Sequence, residues 1–218
     1  MFCKAPEPGR VKTRLARHIG DERAAELHRL LAWRCLSMLA QAQLATLELW
    51  CAPTPFHPFF RQCESRIGVT LRAQGEGDLG VRMARAFALP AAAPTVVIGT
   101  DCPPLDARYV ACALERLSQG AKTVLGPAED GGYVLLGMHG ADASRSRLLF
   151  RDIPWGTDQV LEETLRRLDG RVEQLPVLWD VDRYPDLLRL GRDAIRLELG
   201  EKLEQLIADA SSSVPTSS

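Results

Sequence analysis

A cluster of positive side chains close to the start of the chain has the setting of an anion-binding loop. Arg10, Lys12 and Arg14 lie in the segment KAPEPGRVKTRLA (Lys4–Ala16), where proline and glycine favour a loop and the later residues favour a helix. The N–H groups at the start of such a helix would face the same anion as the cations. The Walker A pattern does not match, because two residues separate Gly9 from the lysine. The loop therefore predicts a phosphate site, and an exposed basic helix start is the alternative.

The best candidate for a carboxylate facing this loop is Asp101. It ends the apolar strand of the segment VVIGTDCPPL (Val96–Leu105), which two prolines prevent from continuing as a strand. Ligands of open α/β sheets bind at the carboxyl ends of the strands, so Asp101 would share a crevice with the basic loop. Mg²⁺ and Mn²⁺ prefer oxygen ligands and commonly join carboxylates to substrate phosphates. We therefore interpret Asp101 as a metal ligand; the alternative is that it only caps the following helix.

Two further segments carry aspartates in settings that suit a site. In EDGGY (Glu129–Tyr133), Asp130 precedes two glycines, which permit a tight turn and close approach of the backbone to a ligand. A plain hairpin turn is the alternative there. In WDVDRYPDL, Asp180 and Asp182 are two residues apart and would point to one side of an extended segment, where they repel unless a cation or Arg183 lies between them. The alternative is an exposed strand end before a capped helix.

The composition excludes several classes of function. The chain has 218 residues, 46% hydrophobic and 25% charged, with a net charge of −1 and a pI of about 6.4, which argues against a nucleic-acid binder. The six cysteines form no Cys-x-x-Cys pair and the four histidines no His-Glu-x-x-His pattern, so no zinc site is predicted. No uncharged run is long enough to cross a membrane. Free thiols and no signal peptide predict a cytoplasmic protein.

The order of predicted elements indicates an α/β fold. Strands alternate with helices over the first 120 residues, which favours a mainly parallel sheet with helices on both faces. The most apolar strand is Thr95–Gly99, and after Gly120 the strands follow one another more closely, which predicts a mixed region. We expect a three-layer sandwich in one domain, residues 1–209, and a disordered tail, residues 210–218.

Six segments, taken together and in this order, resemble the nucleotide-diphospho-sugar transferase superfamily with the GT-A fold. They span about Phe2–Leu188 and read KAPEPGRVKTRLA, GEGDLGVRMARAF, IGTDCPPL, GPAEDGGYVLLGM, IPWGTDQVLEET and DVDRYPDL. Within the superfamily the chain is most similar to bacterial glycosyltransferases that are uncharacterised or associated with arsenosugars. It resembles 2-phospho-L-lactate guanylyltransferases and molybdenum-cofactor nucleotidylyltransferases more distantly.

The resemblance implies roles for individual residues. Those implied to contact the phosphates are Gly9, Lys12 and Arg14, with Lys4, Pro8 and Arg10 beside them. Those implied to lie near the base or ribose are Gly77, Asp78 and Gly80. The implied metal ligand is Asp101, next to Thr100, with Asp182 or Asp180 completing the shell. Those implied to line the sugar or acceptor side are Asp130, Gly131, Gly132 and Tyr133, and a second loop of Trp155, Gly156, Thr157 and Asp158.

The implied activity is transfer at an activated phosphate with Mg²⁺ or Mn²⁺. Lys12 and Arg14 would offset charge on the leaving diphosphate, and Asp130 or Asp158 would accept a proton from the acceptor. The partners are then a nucleotide or nucleotide-sugar and a small-molecule acceptor. A glycosyltransferase is expected first, a nucleotidyltransferase second, and a non-catalytic nucleotide-binding protein third. The sequence departs from the family in one respect, because only Met1–Cys3 precede the first motif, which predicts a short first strand.

Overall fold

The amino-terminal half of the chain forms a parallel sheet of three short strands. The computed structural model describes residues 1–88, 94–139, 146–168, 172–194, 197 and 200–212. The strands are β1 (Phe2–Lys4), β2 (Glu48–Ala52) and β3 (Thr70–Ala73), and β2 is parallel to both neighbours. Parallel neighbours need long crossovers, which the intervening helices supply. The carboxyl ends of all three strands therefore lie along the same edge.

The second half forms a mixed sheet of four strands. They are β4 (Thr95–Ile98), β5 (Thr123–Pro127), β6 (Tyr133–Met138) and β7 (Val172–Gln174), in the order β4-β6-β5-β7. β6 is antiparallel to β4 and β5, whereas β7 is parallel to β5. The mixed region expected after Gly120 is confirmed, and it arises because the short EDGG turn connects β5 to β6 as a hairpin.

Nine helices lie in the described part of the chain. They are α1 (Thr13–Ile19), α2 (Asp21–Ala42), α3 (Pro58–Ile67), α4 (Leu79–Phe87), α5 (Ala107–Ser118), α6 (Ser146–Leu149), α7 (Val160–Arg167), α8 (Tyr184–Arg192) and α9 (Glu201–Ser212). Side chains fix several of their starts: Asp78 accepts a hydrogen bond from Val81 N, and Asp106 accepts one from Tyr109 N.

Apolar side chains cover both faces of the strands, which confirms the three-layer α/β architecture. Alternate residues of a strand point to opposite faces. Leu49 and Ile98 belong to a core with α2, α3 and α5, whereas their neighbours Trp50 and Val97 belong to a core with α4 and α6. A third cluster joins α1 and α2 to α8 and α9. Helices on both faces hold the carboxyl ends of the strands in fixed positions.

Three features differ from those expected. Pro55 predicts a short helix over Thr54–Arg66, but α3 begins at Pro58, because the His57 ring accepts a hydrogen bond from Phe59 N and caps the helix there. The short helix α6 has no counterpart in the sequence-based prediction. α9 continues to Ser212, so residues 210–212 are helical rather than part of the expected tail, and 213–218 lie outside the described residues.

The two sheets are separated by a cavity beside the short first strand. β1 pairs with β2, and among the described strands it does not pair with β4. A cavity of about 530 Å³ lies between them, lined by Met1, Phe2, Thr95–Ile98 and apolar residues of the neighbouring helices. The α-ammonium of Met1 is buried at this cavity and donates a hydrogen bond of 2.7 Å to the Glu48 carbonyl oxygen. The short first strand predicted from the sequence is therefore observed.

Two further features concern the cysteines and the length of the helices. All six cysteines lie in the described part of the chain, and all six are free thiols. No helix of the described ranges combines the length and the apolar character that crossing a bilayer requires.

Candidate functional site

Lys12 lies at the centre of the candidate site. It precedes α1 as the N-cap residue, with a left-handed backbone at φ 47° and ψ 41°. This conformation costs a non-glycine residue roughly 1 kcal/mol. Its side chain is only 3% exposed, and Nζ donates a hydrogen bond of 2.6 Å to the Val181 carbonyl oxygen and lies 2.9 Å from Oδ1 of Asp101. The basic loop thus directs its lysine inward, onto the end of β4.

Asp101 is a half-exposed carboxylate held at one oxygen. Oδ1 is 2.9 Å from Lys12 Nζ and 3.3 Å from Nδ1 of His28, while 44% of the side chain remains exposed. Desolvation would raise the pKa of Asp101, but the charge of Lys12 and the hydrogen bond with His28 outweigh it and hold the pKa far below its usual range. Asp101 does not cap the next helix, because Asp106 does so. The carboxylate is therefore ionised and available to a ligand.

The segment around residue 181 completes this side of the site. Val181 N donates a hydrogen bond of 2.9 Å to the Asp101 carbonyl oxygen. Asp182 forms an ion pair of 2.6 Å with Arg14, a second cation of the basic segment, in α1. Burial, and then the charges of Asp130 and Asp101, raise the pKa of Asp180 to about 6. Four aspartates from three chain segments consequently share one electrostatic neighbourhood with two cations.

The two loops predicted to face the acceptor lie against each other. Leu161 N donates a hydrogen bond of 2.8 Å to the Gly131 carbonyl oxygen, and a Cβ placed on Gly131 would lie 2.2 Å from the Asp158 carbonyl oxygen. Asp130 accepts a hydrogen bond of 2.9 Å from Gly132 N, which is the local turn that the sequence left as an alternative. Asp130 thus closes a local turn and also acts electrostatically on Asp180, so the hairpin interpretation and the site interpretation are compatible.

Aromatic side chains extend this second region towards α4. The rings of Tyr133 and Trp155 meet edge to face, with centroids 6.4 Å apart. A Cβ on Gly80 would lie 2.9 Å from the Trp155 ring, so the start of α4 is packed directly on this loop. Tyr133 Oη and Trp155 Nε1 are both buried without a hydrogen-bond partner among the described atoms.

Except for the Lys4 carbonyl oxygen, which contacts His28, the other predicted residues are not connected to this centre by the contacts of the described residues. Arg10 is exposed and pairs with Glu7 at 3.2 Å, and Asp78 caps α4 while Gly77 accepts a hydrogen bond from Arg82. Among them, Lys4, Pro8, Gly9, Gly156 and Thr157 are exposed as well, whereas Thr100 is buried. These residues surround the centre or lie beside it rather than forming part of its hydrogen-bonded network.

His28 and Gln74 support the site but were not predicted from the sequence. His28, on the buried side of α2, connects Asp101 with the Lys4 carbonyl oxygen, which is 3.0 Å from Nε2. Gln74 directly precedes the segment GEGDLG (residues 75–80). It is buried and donates hydrogen bonds to the carbonyl oxygens of Cys3 and Trp50. The spacing of apolar residues after Asp21 predicts a helix, and His28 is a polar residue within its apolar stripe, so a signal for it was present.

The acidic residues do not form a complete metal cage. In the described ranges, no group of three or more His, Cys, Asp or Glu side chains is arranged to hold a metal ion. The nearby donors are carboxylate oxygens, which suit a hard cation that also binds water or phosphate.

Comparisons with known proteins agree with this architecture. Residues 35–157, more than half of the chain, match the profile of a family described as "Uncharacterized protein conserved in bacteria (DUF2064)". A crystal structure described as a "putative nucleotide-diphospho-sugar transferase" from Desulfovibrio desulfuricans G20 superposes with a TM-score of 0.82 at 29% sequence identity, covering 97% of this chain and 93% of that chain. No curated protein matches the chain.

Proposed function

Since the chain belongs to the bacterial DUF2064 family and has the fold of a nucleotide-diphospho-sugar transferase, we propose that it is a metal-dependent glycosyltransferase. In this proposal it moves a sugar from a nucleoside-diphosphate sugar to a small acceptor. The family alone does not assign this activity, and a fold serves many reactions. The proposal depends on the site.

The observation that carries the proposal is the 2.9 Å contact between Lys12 and Asp101. The lysine comes from the loop after β1 and the aspartate from the loop after β4, so cationic and anionic groups meet at the carboxyl ends of these two strands. A diphosphate chelated by a divalent cation needs both kinds of group within a few ångströms. Had they opened on opposite sides of the molecule, no such ligand would fit.

Mg²⁺ or Mn²⁺ suits the carboxylates on this side. Asp101 has the exposed half of its carboxylate to offer, and Asp180 or Asp182 would supply a second ligand. The pKa of Asp180 is raised partly by neighbouring negative charges, a repulsion that a cation would relieve. Without a third ligand, phosphate and water oxygens would complete the shell. When bound, the cation would neutralise charge on the diphosphate.

Two cations of the basic segment are paired with aspartates of the site: Lys12 with Asp101, and Arg14 with Asp182. We propose that a bound diphosphate exchanges these partners. Arg14 is half exposed, so it can turn to a phosphate oxygen, whereas the buried Lys12 would reach an oxygen that approaches beside Asp101. Charge that develops on the leaving diphosphate would then be offset by groups already in place.

On the acceptor side, a carboxylate would take the proton from the attacking hydroxyl. Asp130 is the better candidate, because it is fixed by its bond from Gly132 and its charge acts on both Asp180 and Arg14. Asp158 is exposed in the adjoining loop and is the second candidate. Trp155 and Tyr133 would form the apolar wall beside them.

The decisive experiment measures turnover of a panel of nucleoside-diphosphate sugars and nucleoside triphosphates, with and without Mn²⁺. A thermal-shift screen selects the ligand first, since binding stabilises the folded state by mass action. Metal-dependent release of a nucleoside diphosphate supports the proposal. Asp101→Asn should reduce this rate at least about a hundredfold, at a temperature where circular dichroism shows that the variant is folded.

Two other outcomes would replace the proposal. Release of pyrophosphate from a nucleoside triphosphate would identify a nucleotidyltransferase, a reading that Arg10, Lys12 and Arg14 keep open because they concentrate cationic charge in one loop. Nucleotide binding without any metal-dependent turnover would identify a non-catalytic nucleotide-binding protein.

A further inference from the structure

We infer that His28 is a positioning residue for Asp101, holding one carboxylate oxygen so that the other is presented to the cation. This inference rests on the proposed function only in assigning the cation to Asp101. The geometry that carries it belongs to α2, β1 and the end of β4.

The His28 ring bridges the ends of two strands. Nε2 is 3.0 Å from the carbonyl oxygen of Lys4, the last residue of β1, and Nδ1 is 3.3 Å from Oδ1 of Asp101, just beyond β4. Only 4% of the side chain is exposed, and Cys3 Sγ lies 3.9 Å from Nε2. Because water cannot readily replace a ring in this position, the bridge is a fixed part of the site.

Lys12 and His28 hold the same oxygen. Lys12 Nζ is 2.9 Å from Oδ1 of Asp101, and it is itself held by the Val181 carbonyl oxygen at 2.6 Å. Two donors on one oxygen restrict rotation of the carboxylate about its Cβ–Cγ bond. The second oxygen therefore has a defined position relative to the basic loop, which is what a ligand shared between metal and phosphate requires.

A purely structural role would not need a histidine. The neighbouring buried positions of α2 are filled by Ala24, Leu27 and Leu31, so an apolar side chain would suit packing at least as well. A buried polar ring is costly unless both of its nitrogens find partners. A neutral ring donates from one nitrogen only, and donation from Nδ1–H to the Asp101 carboxylate is the contact that the inference uses, which places the reason for the histidine in the site rather than in the core.

The test compares two variants that each retain one half of the bridge. In His28→Asn the amide nitrogen takes approximately the place of Nδ1 and can still donate to Asp101. In His28→Gln it takes approximately the place of Nε2 and can still donate to Lys4 O. Both bury one amide at the same position of α2. The probe is Mn²⁺ alone, with its affinity measured by electron paramagnetic resonance on the full chain.

We expect Asp101→Asn to abolish Mn²⁺ binding and His28→Gln to weaken it about 10- to 100-fold, as loss of a group that orients a metal ligand usually does. His28→Asn should stay within about threefold of wild type. Thermal melts serve as the control, because a structural role would change stability in both variants alike. Equal Mn²⁺ affinity in His28→Gln and wild type, or equal weakening in both variants, would overturn the inference.

Failure of the proposed function has a different signature. If the wild-type chain binds no Mn²⁺, the assignment of a metal ion to Asp101 is wrong. The positioning role of His28 is then tested by metal-free crystal structures of the two variants. The Asp101 carboxylate should keep its orientation in His28→Asn and rotate in His28→Gln. An unchanged carboxylate in both structures would refute positioning by His28.

Discussion

Asp180 is the residue at which the negative charges of the site accumulate. It lies between Trp179 and Val181, both buried, and burial and then the charges of Asp130 and Asp101 raise its pKa to about 6. An acid whose pKa is higher in the folded than in the unfolded state contributes stability below the unfolded pKa and loses it as the pH rises through the folded one. Near neutral pH the ionised Asp180 therefore destabilises the ligand-free protein.

This predicts a pH-dependent effect of Asp180→Asn. A shift from 3.8 to about 6 corresponds to about 3 kcal/mol at most, and we expect about 1 to 2 kcal/mol because the side chain is partly exposed. Urea unfolding should show the variant more stable than wild type by this amount at pH 7.5 and equally stable at pH 4. A stabilisation of the same size at both values would mean that packing, not charge, is responsible.

Lys12 has a strained backbone conformation that its side-chain contacts offset. Its left-handed conformation would suit glycine, yet the side chain makes two close contacts with the rest of the site, at 2.6 Å to the Val181 carbonyl oxygen and 2.9 Å to Asp101. Those contacts offset a cost of about 1 kcal/mol in the backbone. The lysine is thus kept for what its ammonium group binds.

At the scale of elements, two loops from different parts of the chain form the acceptor side. The turn between β5 and β6 carries Asp130, and the loop before α7 carries Asp158. Their backbones touch at Gly131, where φ is +85° and a Cβ would lie 2.2 Å from the Asp158 carbonyl oxygen. No side chain fits there, so the separation of the two carboxylates depends on this glycine.

Gly131→Ala should therefore be much more damaging than Gly156→Ala. The two glycines have nearly equal φ values, +85° and +82°, but a Cβ on Gly156 meets nothing within 4 Å. We expect about 1 kcal/mol of destabilisation at Gly156 from backbone strain alone, and at least about 3 kcal/mol at Gly131 because the loops must move apart. Urea unfolding measures both variants. Equal costs would show that the close approach of the loops is not maintained in solution.

At the scale of the whole molecule, the two sheets lie on either side of a cavity. β1 and β4 both lead into the candidate site, but a cavity of about 530 Å³ separates them. The Met1 ammonium is buried at this cavity, where desolvation lowers its pKa from 8.0 to about 6. A base whose pKa is lowered in the folded state contributes stability above its unfolded pKa and loses it as the pH falls.

Acetylation of the Met1 amino group should remove this pH dependence. The amide retains an N–H that can donate to the Glu48 carbonyl oxygen, without the charge. Between pH 8 and pH 6 the unmodified chain should lose about 2 kcal/mol of unfolding free energy relative to the acetylated chain. Urea unfolding of both forms at pH 6 and pH 8.5 provides the comparison, and a difference that does not grow at the lower pH would contradict it.

The sequence by itself determined most of the elements and the chemistry of the site. The apolar run of β4 and the Pro/Gly segment before α1 act over a few residues, so they can be read locally. The same holds for the candidate carboxylates and cations, whose residue types were evident. Local reasoning placed the start of α3 too early and missed α6, because a histidine cap and a four-residue helix give weak signals.

Only the tertiary structure decided which of these groups meet. Lys12 binds Val181, 169 residues away, and His28 binds Asp101, 73 residues away. The raised pKa of Asp180 depends on aspartates from two other segments. Conversely, Arg10 and Asp78 are charged residues of the predicted site that interact locally. Arg10 pairs with Glu7, and Asp78 caps the start of α4. Distances across the sheet edge are set by the packing of helices on both faces, and no periodicity along the chain encodes them.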